Sequence, residues 1–334
     1  MSGFTGRRRL VLAGRVLVVA ATVATFVTNG YGWFLRQEVA ASVTHIPGDV
    51  FADLGQRPEA VHITVAAPPP KTVLLLGSDV RLGPDAGGGV TGQRADTILI
   101  AHLPQGRDRA EVLSVPRDSW VDVAGFGMAK VNASLAYGGV PLAIRTVEEV
   151  TGIRIDHVVV VDFAAVRDLT TALGGVVVDN PAESTDPLTR TTFAAGRLVL
   201  QGDRALTFVR QRYGLPGGDI DRITRQHVLL SAVVRQIAAR ALTDGALREK
   251  VLSVVRRDVS TDSGLDDDTI LDLFFDIATL PSGSVSFHTA PVAGSGTSAD
   301  GQAYLELDRG RLAAVAEAVR SGKPMPLPPT ISPS

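Results

Sequence analysis

The sequence of 334 residues contains no cysteine. Disulfide bonds, thiolate metal sites and a cysteine nucleophile are therefore excluded. Other catalytic motifs are also missing: no GxSxG segment indicates a nucleophilic serine, and the six scattered histidines include no HExxH metal motif. The glycine run at residues 87–89 is not followed by the Gly-Lys-Ser/Thr of a P-loop, so it predicts a flexible surface loop rather than a nucleotide site.

Lysine is scarce, and the formal net charge is only -2. No basic stripe carries interleaved aromatic residues, which argues against a nucleic-acid partner. Hydrophobic residues make up 45% of the chain and charged residues 20%. This balance predicts a globular protein with a sizeable core, folded as one large domain or two small ones.

The N-terminal residues predict a membrane anchor. Arginines 7–9 lie in a basic segment, residues 1–9, that precedes an apolar stretch over residues 10–35, and no charge interrupts residues 16–35. That length suffices for one transmembrane helix, and the preceding arginines favour a cytoplasmic N-terminus. We therefore expect a single-pass cell-membrane protein whose remaining chain is extracytoplasmic. A cleaved signal peptide is the alternative, although residues 40–42 form only a weak cleavage site.

Strands alternate with helices after the anchor, which predicts a layered α/β domain over residues 71–321. We predict strands at 71–76, 97–103, 109–115, 155–163, 175–179 and 285–291, and helices at 141–151, 164–173, from 221, 246–255, 266–280 and 307–321. Residues 36–70 are expected to be a juxtamembrane connector ending in a polyproline spacer, and the proline-rich residues 322–334 to be a disordered tail.

A short segment concentrates groups suited to an anion: Arg210, Arg212, Arg222, Arg225 and Gln226. Guanidinium groups bind phosphate oxygens bidentately and stay charged at any working pH. Residues 205–212 are predicted to be extended, so that Arg210 and Arg212 share a face, and the helix from 221 carries the other three on one side. The segment alone leaves two interpretations open: an anion site at a helix start, or a solvated surface with ion pairs to Asp219 and Asp221.

Charged residues also lie just before or after the first three predicted strands. If these strands form an antiparallel meander, Asp79, Arg94, Asp96 and Arg117 fall at the same sheet edge. Asp79 and Asp96 would then suit Mg2+, which takes one or two protein carboxylates and fills its other positions with phosphate and water. Each aspartate alone is equally typical of a turn or cap, and Arg117-Asp118 of a surface ion pair. Lys130, after a glycine-containing loop, is a less specific candidate.

These segments, taken in order, resemble the LytR-CpsA-Psr (LCP) family of cell-wall glycopolymer ligases over residues 71–320. The motifs that carry the resemblance include Leu74-Leu75-Leu76-Gly77-Ser78-Asp79, Arg94-Ala95-Asp96-Thr97, Ser114-Val115-Pro116-Arg117-Asp118, Lys130-Val131-Asn132-Ala133, Arg210-Gln211-Arg212 and Asp219 to Gln226. Ala95 replaces a usual serine and His227 a common glutamine, and neither change affects a charged position.

The resemblance implies a fold, a reaction and a set of site residues. The fold would be an α/β/α sandwich around a mixed sheet, with a hydrophobic pocket between sheet and helices for a lipid tail. The enzyme would be a phosphotransferase that moves a glycan phosphate from a polyprenyl-pyrophosphate-linked donor to peptidoglycan. Asp79 and Asp96 resemble the magnesium ligands and, with Arg94 and Arg117, the catalytic set. The implied pyrophosphate-binding residues are Arg94, Arg117, Lys130, Arg210, Arg212, Arg222, Arg225 and Gln226.

Two other functions fit the same sequence. A pyrophosphatase acting on polyprenyl or nucleotide diphosphates would use the same site with water as the acceptor. A non-catalytic, lipid-binding regulator of the cell envelope would need no intact charged set, so the presence of that set argues against it.

Overall fold

The computed structural model describes residues 43–61, 68–78, 94–240, 243–281 and 283–331. Its strands, in chain order, are β1 (Thr44–His45), β2 (Lys71–Ser78), β3 (Thr97–Leu103), β4 (Ala110–Ser114), β5 (Trp120–Val123), β6 (Gly127–Lys130), β7 (His157–Asp162), β8 (Val176–Asn180), β9 (Ser184–Asp186), β10 (Thr191–Phe193), β11 (Gly196–Leu200), β12 (Val259–Thr261), β13 (Val285–Thr289), β14 (Val292–Thr297) and β15 (Ala303–Leu307). The helices are α1 (Ala133–Thr151), α2 (Phe163–Ala172), α3 (Gly202–Arg210), α4 (Asp219–Arg240), α5 (Gly245–Asp258), α6 (Asp267–Thr279) and α7 (Arg309–Arg320).

A seven-stranded mixed sheet forms the centre of the fold, in the order β1-β12-β7-β2-β3-β4-β13. Strands β2, β3 and β4 form the predicted antiparallel meander, whereas β7 and β13 pair in parallel with β2 and β4. Both faces of β2 are covered, which explains its nearly continuous apolar sequence. The mixed α/β architecture agrees with the sequence prediction.

Alternate residues of β2 enter different cores, so helices cover both faces of the sheet. Leu74 and Leu76 lie in one core with Ile144 of α1 and Val315 of α7. Leu75 packs against the opposite core, which includes Leu230 of α4. This arrangement is the layered sandwich expected from the alternating pattern.

A second core lies beside the sheet and supports the segment rich in arginine. It joins the β8–β11 hairpin to helices α3, α4 and α5, with Phe193, Phe208 and Leu229 among its buried residues. Through this core, α3 and the start of α4 are fixed relative to each other. The loop between them, residues 211–218, carries Arg212.

Helix α1 is interrupted where the sequence predicts its start. Gly138 and Gly139 have non-helical backbone angles, and Gly139 has a φ of 68°. Pro141 follows, and proline suits the first turn of a helix because its missing N–H would be unpaired there. The helix predicted from residue 141 is therefore the second half of α1, and residues 133–137 add a first half that the periodicity did not indicate.

Residues 43–61 and 322–331, which flank the predicted domain on either side, pack against it. Strand β1 pairs with β12, and Val50 and Leu54 are buried in the main core. At the other end Met325 and Leu327 are buried, and the Met325 amide donates to Glu111 Oε1 at 2.9 Å. The predicted disorder is therefore wrong for residues 322–331: prolines alternate with apolar side chains that reach the core. Residues 43–61 likewise belong to the domain rather than to a free connector.

Within these described ranges, we find no helix that combines the length and the apolar character needed to cross a bilayer. The predicted anchor at residues 10–35 lies outside the described residues.

Candidate active site

Arg117 lies at the centre of a group of charged side chains at the edge of the meander. Its Nη1 pairs with Asp96 Oδ1, and its Nε lies 3.8 Å from Asp118 Oδ2 and 3.5 Å from Asp219 Oδ1. Asp96 directly precedes β3 and Arg117 follows β4, so antiparallel pairing brings them to one edge. The predicted meeting of Asp96 and Arg117 is therefore observed.

Side chains of alternating charge extend from Arg117 in both directions. Arg222 Nη2 lies 2.9 Å from Asp219 Oδ1, and Lys130 Nζ lies 2.9 Å from Asp118 Oδ1. We call Arg222, Asp219, Arg117, Asp118 and Lys130 the charge row. The row joins the start of α4 to the end of β6, so it connects segments that are far apart in the sequence.

A cavity of about 440 Å3 opens at the Arg222 end of the row. We call it the arginine cavity. Its charged and polar lining includes Asp96, Arg117, Asp186, Arg210, Arg212, Arg222 and Gln226, so four guanidinium groups face two carboxylates, and its apolar lining includes Phe163, Leu206 and Val209. Four guanidinium groups beside an apolar wall suit an anion attached to a hydrophobic group.

Burial and neighbouring positive charges disfavour the charged form of Arg222. Burial first, and then the neighbouring Arg117 and Arg212, lower the pKa of Arg222 to about 10, whereas Asp219 and Asp96 act to raise this pKa. The group remains protonated at neutral pH. Within the described part of the chain, the Nε atoms of Arg117 and Arg222 have no hydrogen-bond partner. Both Oδ atoms of Asp219 are likewise without a hydrogen-bond partner there, so the arginines and Asp219 form a buried charged group of the kind found at functional sites.

Residues 205–212 are not extended, as the sequence predicted, but mostly helical. Helix α3 ends at Arg210, and it buries Ala205, Phe208 and Val209, which have the spacing of one helix face. The aromatic and β-branched residues favoured a strand in the sequence, but packing in the second core decided the conformation. Arg210 and Arg212 both line the cavity, one from the end of α3 and one from the following loop.

Arg225 has a structural position instead of the predicted place in the anion site. Its Nη1 donates to Gln211 Oε1 at 2.6 Å, Nη2 donates to Ser184 Oγ, and its guanidinium lies 4.4 Å from the centre of the Phe208 ring. Three residues after Arg222 on α4, its side chain faces the second core. By holding Gln211, it positions the loop that carries Arg212.

Arg94 and Lys130 lie together, but not on the arginine cavity. Both line a separate groove beside the β5–β6 hairpin, and Lys130 is connected to Arg117 through Asp118. Asp79 lies outside the described residues. The structure thus brings Asp96, Arg117, Arg210, Arg212, Arg222 and Gln226 to one cavity, with Lys130 and Arg94 next to it.

Asp219 has a more central position than the sequence predicted. It contacts Arg117 and Arg222, and it lies 3.9 Å from Arg212 Nε. Its position at the start of α4, three residues before Arg222, was the available signal, because residues three apart are neighbours on a helix. Phe163, which lines the cavity and lies 5.0 Å from the Arg210 guanidinium, carried no such signal.

A second, smaller cavity of about 290 Å3 lies farther along α4. Ser231, Val234, Arg235, Ala238 and Ala239 line it from α4, Ile277 from α6 and Val285 from β13, so its lining is mixed. It therefore lies between the sheet and two helices, where the resemblance implies a hydrophobic pocket.

The LytR_cpsA_psr family model matches residues 52–321, well over half of the chain. The chain belongs to the LytR-CpsA-Psr family. The match begins before residue 71, in agreement with the packing of residues 43–61 on the domain.

Three similar proteins illustrate this membership. The probable cell wall biosynthesis protein LcpB of Corynebacterium glutamicum is 38% identical over 169 residues, which are 48% of this chain and 40% of LcpB, so the match spans less than half of that relative. The TagU of Enterococcus faecalis, named a polyisoprenyl-teichoic acid–peptidoglycan teichoic acid transferase, is 30% identical over 77% of this chain and 79% of its own length. A structure of TagT bound to LIIa-WTA superposes with a TM-score of 0.64 and 26% identity, covering 81% of this chain and 98% of that chain.

Proposed function

We propose that this protein is a phosphotransferase that attaches a glycopolymer to peptidoglycan. It takes a glycan phosphate from a polyprenyl-pyrophosphate-linked donor and releases polyprenyl phosphate. The observation that carries the proposal is the arginine cavity, in which Arg117, Arg210, Arg212 and Arg222 surround one space. A related protein carries a teichoic acid transferase name, which supports the same class of reaction.

The charges of the cavity match those of a diphosphate. In phosphoryl transfer, catalysis depends mainly on positioning and on neutralising charge on the phosphoryl oxygens. Arg222 and Arg117 both line the cavity, so their guanidinium groups are placed to bind these oxygens. Asp219 keeps both guanidinium groups aligned, since it contacts each of them.

The residues present also fit Mg2+. No group of three or more acidic or histidine ligands occurs within the described ranges, but Mg2+ beside a diphosphate needs only one or two carboxylates. Asp96 lines the cavity, and its amide donates to the carbonyl of Gly77 at 2.9 Å, two residues before Asp79. Asp96 and Asp79 would hold the ion, which would neutralise negative charge on the diphosphate.

The apolar parts of the structure suit a lipid-linked donor. Phe163, Leu206 and Val209 border the arginines in the cavity, and the smaller cavity lies about three helical turns farther along α4. In this proposal the lipid follows α4 while the diphosphate remains at its N-terminal end. A single membrane anchor at residues 10–35 would hold the domain on the outer side of the membrane, where lipid-linked donor and peptidoglycan meet.

Transfer from a defined polyprenyl-pyrophosphate-linked glycan to purified peptidoglycan, with the full-length protein and Mg2+, tests the proposal. Arg117→Ala is expected to reduce the transfer rate by about 100-fold to 1,000-fold, as loss of a donor to a transition-state charge does elsewhere. Arg145→Ala is the matched control, because Arg145 lies on α1 in an exposed ion pair with Glu149 and lines neither cavity.

The products distinguish the alternatives. Glycan phosphate bound covalently to peptidoglycan supports a ligase. Release of free glycan phosphate without linkage would show instead that water is the acceptor and that the protein is a pyrophosphatase. Equal activity of Arg117→Ala and the parent protein would contradict the role of the cavity.

A further inference from the structure

A groove of about 300 Å3 lies beside the charge row and is not part of the arginine cavity. Three elements form it: the β5–β6 hairpin, the first half of α1, and the turn between β14 and β15. Its lining includes Trp120, Lys130, Asn132, Tyr137, Asp300 and Gln302. We call it the hairpin groove.

The two hairpins that form the groove are fixed to each other. Trp120 of β5 stacks on Tyr304 of β15 with ring centres 4.8 Å apart, and the Leu305 amide donates to the Asp118 carbonyl at 3.0 Å. The turn is itself ordered by a hydrogen bond from the Ser298 amide to the Gln302 carbonyl at 2.9 Å. The groove is therefore a formed feature of the domain.

Aromatic rings are exposed at this groove. Tyr137 lines it and is 47% exposed, and it stacks on Phe126, which is 55% exposed, with ring centres 4.7 Å apart. Exposed apolar surface of this kind is typical of a binding site. The aliphatic C–H faces of pyranose rings pack well on flat aromatic rings, whereas a wholly polar ligand would gain nothing from them.

Polar side chains also line the groove, and a carbohydrate ligand needs such groups for its hydroxyl and amide substituents. Asn132 is only 3% exposed, and its Oδ1 finds no hydrogen-bond partner in the described part of the chain. Asp300 and Gln302 line the groove from the turn, where Asp300 accepts hydrogen bonds from Ser298 Oγ and Gln302 Nε2, and Arg94 and Lys130 add positive charge. A few polar groups in a partly apolar groove fix orientation, and the cations suit a ligand that also carries carboxylates.

The charge row connects this groove to the arginine cavity. Lys130 lies in the groove and Arg222 in the cavity, with Asp118, Arg117 and Asp219 between them. In phosphoryl transfer the attacking and leaving oxygens lie roughly in line with the phosphorus. If the lipid phosphate leaves toward α4, the acceptor hydroxyl must approach from the other end of the row.

We propose that the hairpin groove binds the glycan strand of the peptidoglycan acceptor and presents its hydroxyl group to the diphosphate. This inference rests on the proposed function. Tyr137 and Phe126 hold the sugar rings, Asn132 bonds a polar sugar substituent, and Arg94 and Lys130 face the acidic peptide groups that the strand carries.

The test uses the full chain with soluble peptidoglycan oligosaccharides that carry their peptides. Binding is measured by calorimetry without donor, and transfer kinetics are measured separately with donor and acceptor each varied. Tyr137→Ala and Phe126→Ala lie on different elements, and each is expected to weaken acceptor binding and raise the acceptor KM about tenfold. Tyr137→Phe keeps the ring and is expected to retain binding. Val199→Ala, another exposed apolar position, is the control.

Each outcome decides a separate point. A higher acceptor KM with an unchanged donor KM supports the groove as the acceptor site. Binding by both alanine variants equal to that of the parent protein overturns it, and so does a rise in the donor KM alone, which would place the donor glycan there. If the parent protein binds the oligosaccharides but transfers nothing, the groove stands and the proposed function fails.

Discussion

Arg222 and Arg225 occupy the same stretch of α4 and are equally buried, each with 4% of its surface exposed, but they lie in two different regions of the molecule. Arg222 lies among the carboxylates and arginines of the cavity. Arg225 lies between neutral hydrogen-bond acceptors and aromatic rings in the second core. Burial and sequence neighbourhood therefore do not separate an arginine of the proposed site from a structural one.

The partners of each guanidinium group distinguish the two arginines. The polar partners described for Arg225 are supplied by the protein itself, so its charge serves to join β9, α4 and the loop after α3. Arg222 shares the carboxylate of Asp219 with Arg117 and Arg212, so three guanidinium groups meet at one acidic side chain. The contacts of Arg225 therefore favour folding, whereas those of Arg222 fit the diphosphate site proposed above.

Methionine substitution at the two positions sharpens this comparison, and the largest effect is expected at Arg222. Arg222→Met is expected to lower kcat/KM for transfer by about 100-fold to 1,000-fold, because it removes a cation aimed at the diphosphate. Thermal stability should fall less than in the Arg225 variant. Burial lowers the pKa of Arg222, so the folded protein holds this charge at a cost, and relief of that cost offsets the loss of the ion pair with Asp219. Transfer kinetics and the melting temperature of the same preparation check both parts.

Arg225→Met is expected to behave in the opposite way. It leaves Gln211 Oε1 and Ser184 Oγ without their charged donor, so the free energy of unfolding should fall by about 2–3 kcal/mol. Denaturant unfolding measures this loss. Activity at a temperature where the variant is folded should fall less than in Arg222→Met, and only through displacement of Arg212. A stable, inactive Arg225→Met protein would contradict the structural role.

His227 is a third buried basic residue of α4, and it predicts a dependence of stability on pH. Burial first, and then His288, lower the pKa of His227 to about 3, and burial with Arg109 lowers the pKa of His102 to about 4. Below pH 6.5 the unfolded chain therefore binds more protons than the folded protein. Stability should be full above about pH 6.5 and fall as the pH decreases toward 4, by up to about 1.4 kcal/mol per pH unit for each histidine.

His227→Gln tests this assignment, since glutamine can still reach Ser114 Oγ, which now lies 2.6 Å from His227 Nε2. Unfolding measured between pH 7.5 and 4.5 should show a shallower loss for the variant, by about one histidine's contribution. His102 stays as the internal reference. Identical pH profiles for the variant and the parent protein would show that the acid sensitivity arises elsewhere.

The fold was largely predictable because the apolar periodicity of each main element survives in the structure. The meander and its edge followed from three apolar strands, and antiparallel pairing then required Asp96 and Arg117 to meet. The site was only partly predictable. Arg222 and Arg225 have equivalent sequence surroundings, and only the tertiary structure shows that Arg225 packs on Phe208 whereas Arg222 pairs with Asp219.

The two segments whose conformation was predicted wrongly, within residues 205–212 and 322–331, have one cause in common. Residues 205–209 contain strand-favouring side chains, but Ala205, Phe208 and Val209 gain more by burying one helix face in the second core. Residues 322–331 have a composition typical of disorder, yet Met325 and Leu327 find apolar partners on the main core. In both cases tertiary contacts override a local preference that the sequence displays.

Gln226 gives the smallest and most selective test, because it lies between Arg225 and His227 but lines the arginine cavity. Gln226→Ala is expected to raise the donor KM about fivefold, the loss of one hydrogen bond to a charged ligand, with little change in stability. Gln226→Glu should raise this KM further, since a carboxylate repels the diphosphate. Gln236 is the matched glutamine of the same helix: it donates to the carbonyls of Leu173 and Gly175, so Gln236→Ala should lower the melting temperature and leave the donor KM unchanged. If Gln226→Glu bound the donor as well as Gln226→Ala, the cavity would not be an anion site, and the contrast between Arg222 and Arg225 would lose its functional meaning.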